Sequence, residues 1–553
     1  MSKPAGIARL LHRPLPVALL GGVCFALTAP PLDFHLGVLL GLAALFVALE
    51  PTQPQRGKRR AFLIGWAWAS AAGLVGLRFV PALVDRFTPL GLLGGSVALL
   101  LLAAFQALGW GLGATLSYLL EARLALDRRL SFPCGVLFAC MWPGVFAWTP
   151  AALLSEWLPL VQLAELVGER GVSWLLALLV ALLAWPLRAR WVSAGGSERK
   201  NADPHPLPAA VDLSRWRRRS ARSLMAGAGL AVGVWGYGLL RLSQLDPDAG
   251  PKLTVALIQP ATDARLRWER SEQDRILVRL RRLTAQGERQ GAELSIWPEA
   301  AYPYLLSHAP RQEPAGARAI HAGGVRGPVL LGALTQAADG QGQHNAALII
   351  DSNGKQQLPQ AKLQLLWFGE SLPFGQSIPW LRKAFYRAGG LVPGSEVALQ
   401  THQSPTGAVA RIAVLNCYED ILPSVGRRMA KQRPNLLVNV TNDAWFEGSI
   451  ESALHLRLSA LRAVEARLDL VRAVNLGLPA WIDKTGRLRA LGQAKPAGVL
   501  LVRPSLNDQS PTLYTRAGDY PLLLALGLLL SWYAFRGVTR RARTSEPPPA
   551  TRA

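Results

Sequence analysis

Apolar and polar positions divide this chain into two ends that read as membrane helices and a middle that reads as alternating strands and helices. Before residue 242, seven apolar stretches approach the length of a bilayer crossing, at roughly 14 to 30, 35 to 50, 61 to 80, 90 to 120, 131 to 149, 171 to 187 and 224 to 241. An eighth runs from about 520 to 536. The first two are short and are separated by Pro30 and Pro31, so the pattern alone allows one re-entrant hairpin or two marginal spans. From Lys252 the period changes. Short β-rich runs at 253–258 and 293–297 flank a charged amphipathic helix at 267–290. Further strands are predicted at 329–334, 345–350, 412–416, 436–440, 470–473 and 499–502, with helical periodicity over 452–468. Strands alternating with long helices predict a layered α/β domain.

Loop charge decides the orientation of the spans. Lys and Arg cluster at 56–60, 123–129, 188–222 and 536–543, and are nearly absent from 84–87 and 149–165. Under the positive-inside rule the basic loops are cytoplasmic, and they alternate correctly only if all eight stretches cross. The expected organisation is a seven-span transmembrane domain at 1–242, an α/β domain at 243–519 on the far side of the membrane, an eighth helix at 520–537, and a cytoplasmic tail at 538–553. Ser545-Glu-Pro-Pro-Pro-Ala550 in that tail reads as disordered. The first apolar segment lacks a small-residue cleavage site and is followed by more spans, which predicts an uncleaved anchor. The net charge of +24 sits largely in the juxtamembrane loops. It therefore points to membrane topology and anionic lipid headgroups, and away from nucleic acid.

Cysteine usage singles out one residue. Cys24, Cys134 and Cys140 lie inside apolar stretches, where cysteine is usually a small core residue, whereas Cys417 closes the strand-like run Arg411-Ile-Ala-Val-Leu-Asn-Cys417-Tyr-Glu-Asp420. One cysteine in the middle domain excludes an internal disulfide framework there. Scattered histidines and no Cys/His cluster predict no metal site and no cofactor. Upstream stand Glu299, in Ile296-Trp-Pro-Glu299-Ala, and Lys362, in Gln360-Ala-Lys362-Leu. A thiol, a carboxylate and an ammonium are sufficient for acyl transfer through a thioester: the carboxylate takes the proton and the ammonium stabilises the oxyanion. Singly, each has a plainer reading as an inert cysteine, a solvated glutamate or a surface lysine. Glu299, Cys417 and Asn442-Asp443 all follow predicted strands, where open α/β sheets collect their chemistry.

Those residues resemble the Glu-Lys-Cys triad of the nitrilase superfamily, which has an αββα sandwich fold. Two further stretches carry the resemblance: Phe368-Gly-Glu370, similar to the family's second glutamate, and Asn442-Asp443-Ala-Trp445-Phe446. Eight spans around such a domain resemble one membrane branch of the superfamily, the apolipoprotein N-acyltransferases. The stretch Val161-Gln162-Leu-Ala-Glu165-Leu-Val-Gly168-Glu169-Arg170-Gly171-Val-Ser173 is similar to that branch's sequence before its sixth span. The chain departs from the family at Leu363-Gln-Leu-Leu-Trp367, at Glu447-Gly448 and at Asn475-Leu-Gly-Leu-Pro479.

The resemblance implies a bacterial inner-membrane enzyme with a periplasmic catalytic domain. Its acyl donor would be a phospholipid, with phosphatidylethanolamine the usual one, and its acceptor the amine of a diacylglyceryl-cysteine on an apolipoprotein. Glu299 is then the base, Cys417 the nucleophile and Lys362 the oxyanion partner. Glu370 and Glu419 would orient Lys362 or hold the acid in place, or else be structural ion pairs. Asn442 would support the site, and Tyr418, Trp297 and Trp445 would line an acyl pocket or pack the core. Trp367, Phe368, Trp380 and Phe385, in a Gly- and Pro-rich stretch with flanking cations, read as a lid that admits lipid. Two alternatives stay open: a membrane-tethered hydrolase of small amides or nitriles, and a silent scaffold that binds lipid or a partner.

Overall fold

The computed structural model describes residues 14–49, 57–146, 148–198, 213–263, 265–266, 269–337, 340, 342–372, 377–378, 383 and 390–544. Its middle part contains thirteen strands: β1 (Val255–Gln259), β2 (Leu294–Ile296), β3 (Leu306–Ser307), β4 (Val329–Gln336), β5 (Gln343–Ile350), β6 (Gln360–Ala361), β7 (Gln400–Gln403), β8 (Val409–Asn416), β9 (Leu436–Thr441), β10 (Leu470–Val474), β11 (Ala480–Ile482), β12 (Leu488–Leu491) and β13 (Gly498–Val502). They form two sheets. One has the order β13-β1-β2-β4-β5-β6, with β3 beside β4, and the other β12-β11-β10-β9-β8-β7. In each the central pairs are parallel, β1 with β2 and β2 with β4 in the first, β8 with β9 and β9 with β10 in the second. The outer strands pair antiparallel, except the two-residue β3, which runs parallel to β4.

Both faces of the central strands are covered, which explains their near-continuous apolar sequences. Val255, Leu257 and Ile296 of one sheet meet Val414, Val438 and Val471 of the other in the inner core. The opposite face of the first sheet buries Ala256 and Ile258 under Ile276, Leu280 and Leu283 of helix Arg270–Arg289. Ala413, Leu415 and Leu437 of the second sheet are covered by Val425 and Met429 of helix Pro423–Ala430, and by Leu456 and Ala463. The result is an αββα sandwich. The periodicity at 452–468 resolves into two helices, Glu451–Ser459 and Leu461–Ala466, and the second ends at Arg467 in the left-handed region (φ 55°).

The apolar ends are helical, and they make this a membrane protein. Gly91–Leu124, Ala164–Leu187 and Trp216–Gln244 are each long and apolar enough to cross a bilayer. The stretch predicted at 61–80 is a bent pair, Gly57–Gly76 and Val80–Phe87, meeting at 57°. Pro14–Ala26, Leu36–Ala48 and Tyr520–Arg536 are shorter apolar helices. The stretch predicted at 131–149 forms the 14-residue helix Arg128–Met141, and the last helix continues to Thr544, past the predicted boundary at 537.

The stretch 161–173 is where the membrane part grips the sandwich. Helix Ala164–Glu198 is broken at Gly168, whose φ of 68° and contact with the Tyr514 ring leave no room for a Cβ. The break aims two carboxylates at the helices beneath the second sheet. Glu169 pairs with the fully buried Arg462, which also lies 3.3 Å from Glu465. Glu165 pairs with Arg467 at 2.8 Å and with Arg241 at 2.6 Å. Arg457 donates to Thr28 O at 2.8 Å and pairs with Asp33 and Glu156. Burial lifts the Glu465 carboxyl to about 8 against the pull of Arg462, and Glu169 is the closer partner of that guanidinium. Arg462→Met leaves Glu169 buried without its cation, with an expected loss of about 3–5 kcal/mol. The thermal-unfolding midpoint of the detergent-solubilised protein reads this, and an unchanged midpoint would show that the pair contributes no net stability.

Candidate active site

Three chain segments converge at the ends of strands. Glu299 follows β2, Lys362 follows β6 and Cys417 follows β8. The Glu299 turn lies so close to β4 that a Cβ at Gly332 would stand 2.4 Å from Pro298 O and Ala300 N, which accounts for glycine there. Lys362 is anchored through its backbone: its N–H donates to Asn345 O and its carbonyl accepts from Gly394 N, each at 2.8 Å. Cys417 opens the 3₁₀ turn Cys417–Ile421 with φ 53°, a conformation costly for a residue with a side chain. Asn439 of β9 holds it, donating from Nδ2 to Cys417 O at 2.8 Å and to Leu415 O at 3.1 Å.

Lys362 Nζ is wholly buried, 3.1 Å from Glu299 Oε1 and 2.8 Å from Glu370 Oε2. Asn345 Nδ2 bridges the same carboxylates, donating to Glu299 at 2.7 Å and to Glu370 at 2.8 Å. Glu370 also accepts from Leu366 N at 2.9 Å. Burial opposes the ammonium charge, but Glu299 and Glu370 outweigh it and hold Lys362 well above its ordinary value. The thiol behaves oppositely. Burial, reinforced by Glu299, pushes Cys417 well above its ordinary value, against the attraction of Lys362 and the Thr441 hydroxyl. At rest the site therefore holds an ammonium and a neutral thiol. Moving the proton from Cys417 to Glu299 leaves the total charge unchanged.

The supporting residues divide clearly. Glu419 accepts from Leu363 N (2.6 Å) and Gln364 N (2.9 Å) through one oxygen and from Asn416 N (2.8 Å) through the other. It thus ties the segment after Lys362 to the residue before Cys417, and burial lifts its carboxyl to about 7. Tyr418 donates its hydroxyl to Leu365 O at 2.9 Å, with Lys362 Nζ 5.4 Å from its ring centre. Asn442 accepts from Asn475 Nδ2 at 2.9 Å, and Trp445 packs on Phe87 with ring centres 4.5 Å apart. Trp297 lies in the outer core of the first sheet, donating to Thr284 at 2.8 Å. Trp367 and Phe368 are exposed, and the Trp367 ring lies 6.3 Å from Phe105 of helix Gly91–Leu124. Trp380 and Phe385 lie outside the described residues.

Beneath Cys417, Asp443, Glu451 and His455 bring ligand atoms within 4.8 Å of one another. Two of the three have charged neighbours, while Glu451 Oε2 has no hydrogen-bond partner among the described residues. His455 Nε2 lies 2.7 Å from Asp420 and Nδ1 3.5 Å from Asp443, while Arg472 pairs with Asp420 and lies 3.7 Å from Asp443. Burial opposes the ring's charge, but Asp420 outweighs it and holds His455 at about 10, so the ring is a cation set among these carboxylates.

Comparison with known proteins identifies the family. Residues 254–510 match the carbon-nitrogen hydrolase family, and residues 21–182 match the apolipoprotein N-acyltransferase N-terminal domain. Apolipoprotein N-acyltransferase of Allorhizobium ampelinum is 30% identical over 509 residues, covering 85% of this chain and 86% of that protein. The chain belongs to the apolipoprotein N-acyltransferase family. Its Geobacter metallireducens relative of the same name is 28% identical over 525 residues, 91% of each chain. Among solved structures, an amidase of Nesterenkonia AN1 from the nitrilase superfamily is 17% identical, covers 51% of this chain and 98% of its own, and has a TM-score of 0.35.

In this member of the apolipoprotein N-acyltransferase family, sequence reasoning missed Asn345, Asn439 and Thr441. Their only signal was a polar side chain inside an apolar strand. Asn345→Ala removes the bridge between Glu299 and Glu370 while leaving Lys362 its ion pairs. Misplacement of reacting groups on the 1 Å scale costs about 10²-fold, so acyl loading of Cys417 is expected to slow by about that factor with the unfolding midpoint little changed. Wild-type loading rates would show that the bridge has no positioning role.

Proposed function

We propose that this protein transfers an acyl chain from a phospholipid to Cys417, and from there to the N-terminal amine of a diacylglyceryl-cysteine on an apolipoprotein. The observation that carries this reading is the Glu299, Lys362 and Cys417 cluster, built into a sandwich that is clamped by buried ion pairs to membrane helices. In the first step Glu299 takes the thiol proton as sulfur attacks the ester carbonyl, and Lys362 with a backbone N–H of the Cys417 turn stabilises the oxyanion. The C–O bond breaks, Glu299 returns the proton to the departing lysophospholipid, and a thioester remains. In the second step the acceptor amine attacks the thioester carbonyl. Its proton passes through Glu299 to the sulfur, the C–S bond breaks and an amide is released.

Phosphatidylethanolamine is the proposed donor. Trp367 and Phe368, exposed beside Phe105, form part of a lid over the entry for lipid. Glu370 keeps Lys362 in place, and Glu419 keeps the lysine and cysteine segments in register. In a bacterial inner membrane, the loop charges support eight crossings, with 243–519 periplasmic and both termini cytoplasmic.

Incubation with phospholipid and no acceptor should add the mass of one acyl chain to the Cys417 peptide, labile to hydroxylamine. Cys417→Ala should abolish it, Glu299→Gln should block it, and Lys362→Ala should slow it by about 10²–10³-fold, equivalent to about 2.7–4 kcal/mol of oxyanion stabilisation. Loading that survives Cys417→Ala would overturn the mechanism. Loading that passes to water but never to a lipoprotein amine would favour the hydrolase reading.

Topology has its own test. Reporter fusions after Gly250 and after Asp203 should give opposite compartment signals, and like signals from both would remove the eight-crossing layout.

A further inference from the structure

A second site lies at the far end of the membrane helices. Helix Gly57–Gly76 leads through Leu77 and Arg78 to Phe79, whose ring packs 5.4 Å from Phe446 of the catalytic sandwich. Twenty residues of helix span about 30 Å, so its first turn lies near the opposite membrane face. There a groove of about 370 Å³ is lined by Lys58, Arg59, Phe62, Leu63, Leu112 and Thr115. It is a wide, open groove on the helix surface and not an enclosed pocket.

Helices Gly57–Gly76 and Gly91–Leu124 approach closely beside the groove at glycines. A Cβ on Gly111 would stand 2.8 Å from the Phe62 ring, and one on Gly57 would collide with Tyr118. The remaining walls are amphipathic in a definite direction: two exposed cations at the mouth, then Phe62 and the exposed Leu63 and Leu112 along the shaft. Among the described residues neither cation has an ion-pair or hydrogen-bond partner. The nearby acid on the facing helix, Glu121, is held by Arg128 at 2.8 Å. No acid stands in the first turn of helix Gly57–Gly76, although Lys58, Arg59 and Arg60 all do, at the end where the helix dipole already favours an anion. Setting topology requires only that the charges be on this side. It does not require an apolar groove leading away from them.

We propose that this groove binds one anionic phospholipid from the leaflet facing away from the catalytic sandwich, its phosphate between Lys58 and Arg59 and an acyl chain along Phe62, Leu63 and Leu112. The roughly 30 Å separation keeps this lipid apart from the acyl donor. It acts as a bound structural lipid that braces the first turn of the bent helix pair, on whose other end the catalytic sandwich rests.

The test is native mass spectrometry of the full-length protein in neutral detergent, titrated with phosphatidylglycerol or phosphatidylethanolamine. Wild type should retain one phosphatidylglycerol that survives conditions stripping phosphatidylethanolamine. The double variant Lys58→Gln, Arg59→Gln should weaken that retention by about 10- to 30-fold, while Cys417 acyl loading in detergent stays at the wild-type rate. Leu63→Glu should weaken it too, and if that variant does not fold the double variant alone decides. Equal retention by wild type and the double variant overturns the site. So does equal retention of the two lipids by wild type, which would make it a nonselective greasy surface, or a thermal shift from inorganic phosphate matching that from phosphatidylglycerol.

Discussion

The catalytic half of this protein is organised around one buried ammonium. Lys362 is removed from water, and an uncompensated charge there would cost several kcal/mol or shed its proton. Glu299 and Glu370 prevent that outcome, and Asn345 holds the two carboxylates at a fixed spacing. Lys362 stays charged, so it is available as an electrostatic partner without changing protonation state during a reaction. The same low-dielectric setting holds the Cys417 thiol above its ordinary value, so the proposed reaction assigns Glu299 as the base. A site with a preformed thiolate would need no such base. Here the sulfur becomes a nucleophile only when its proton has somewhere to go.

The second constraint is height above the bilayer. A nucleophile that takes acyl groups from lipid must sit where a lipid ester can reach it, and a domain tethered only by flexible linkers would not hold that position. Glu165 and Glu169, at the break around Gly168, engage Arg467 and Arg462 on the helices that cover the second sheet. That sheet carries Cys417 at the end of β8. Helix Val80–Phe87 and the linker before it add aromatic contacts, Phe79 with Phe446 and Phe87 with Trp445. Trp445, read from sequence as a possible pocket residue, is thus part of this docking surface.

What was legible in the sequence follows from burial and range. The central strands are buried on both faces and read as continuous apolar runs, so β1, β2, β4, β5, β8, β9 and β10 were evident, as was the half-buried edge strand β13. Edge strands such as Gln400–Gln403 and Leu488–Leu491 face solvent, and β3 and β6 have two residues each, too few to show a period. Helix Pro423–Ala430 is likewise a short turn whose apolar face is set by tertiary packing. In the site, the reactive residues announced themselves by type and by motif. Asn345 and Asn439 did not, because their roles arise from neighbouring strands: Asn345 reaches Glu299 across 46 positions, and Asn439 reaches Cys417 across 22. Glu419 could be flagged as a candidate, but its function lies in three backbone amides that no side-chain pattern reveals.

The constant charge of the cluster bears on why a thioester here would wait for an amine. Once an acyl group is on sulfur and the lysophospholipid has left with its proton, Glu299 is again a carboxylate beside Lys362 and Glu370, as in the resting site. An attacking amine develops positive charge as it adds to the carbonyl, and the two carboxylates stabilise that charge before Glu299 removes a proton. Water lacks this advantage, since it must lose its proton to become a comparable nucleophile. The lipid chain itself would restrict access, because the acyl group fills the approach between the exposed aromatics and the membrane helices. In the proposed reaction, acceptor choice would then rest on an amine that arrives already embedded in lipid, at the height the buried ion pairs set for Cys417.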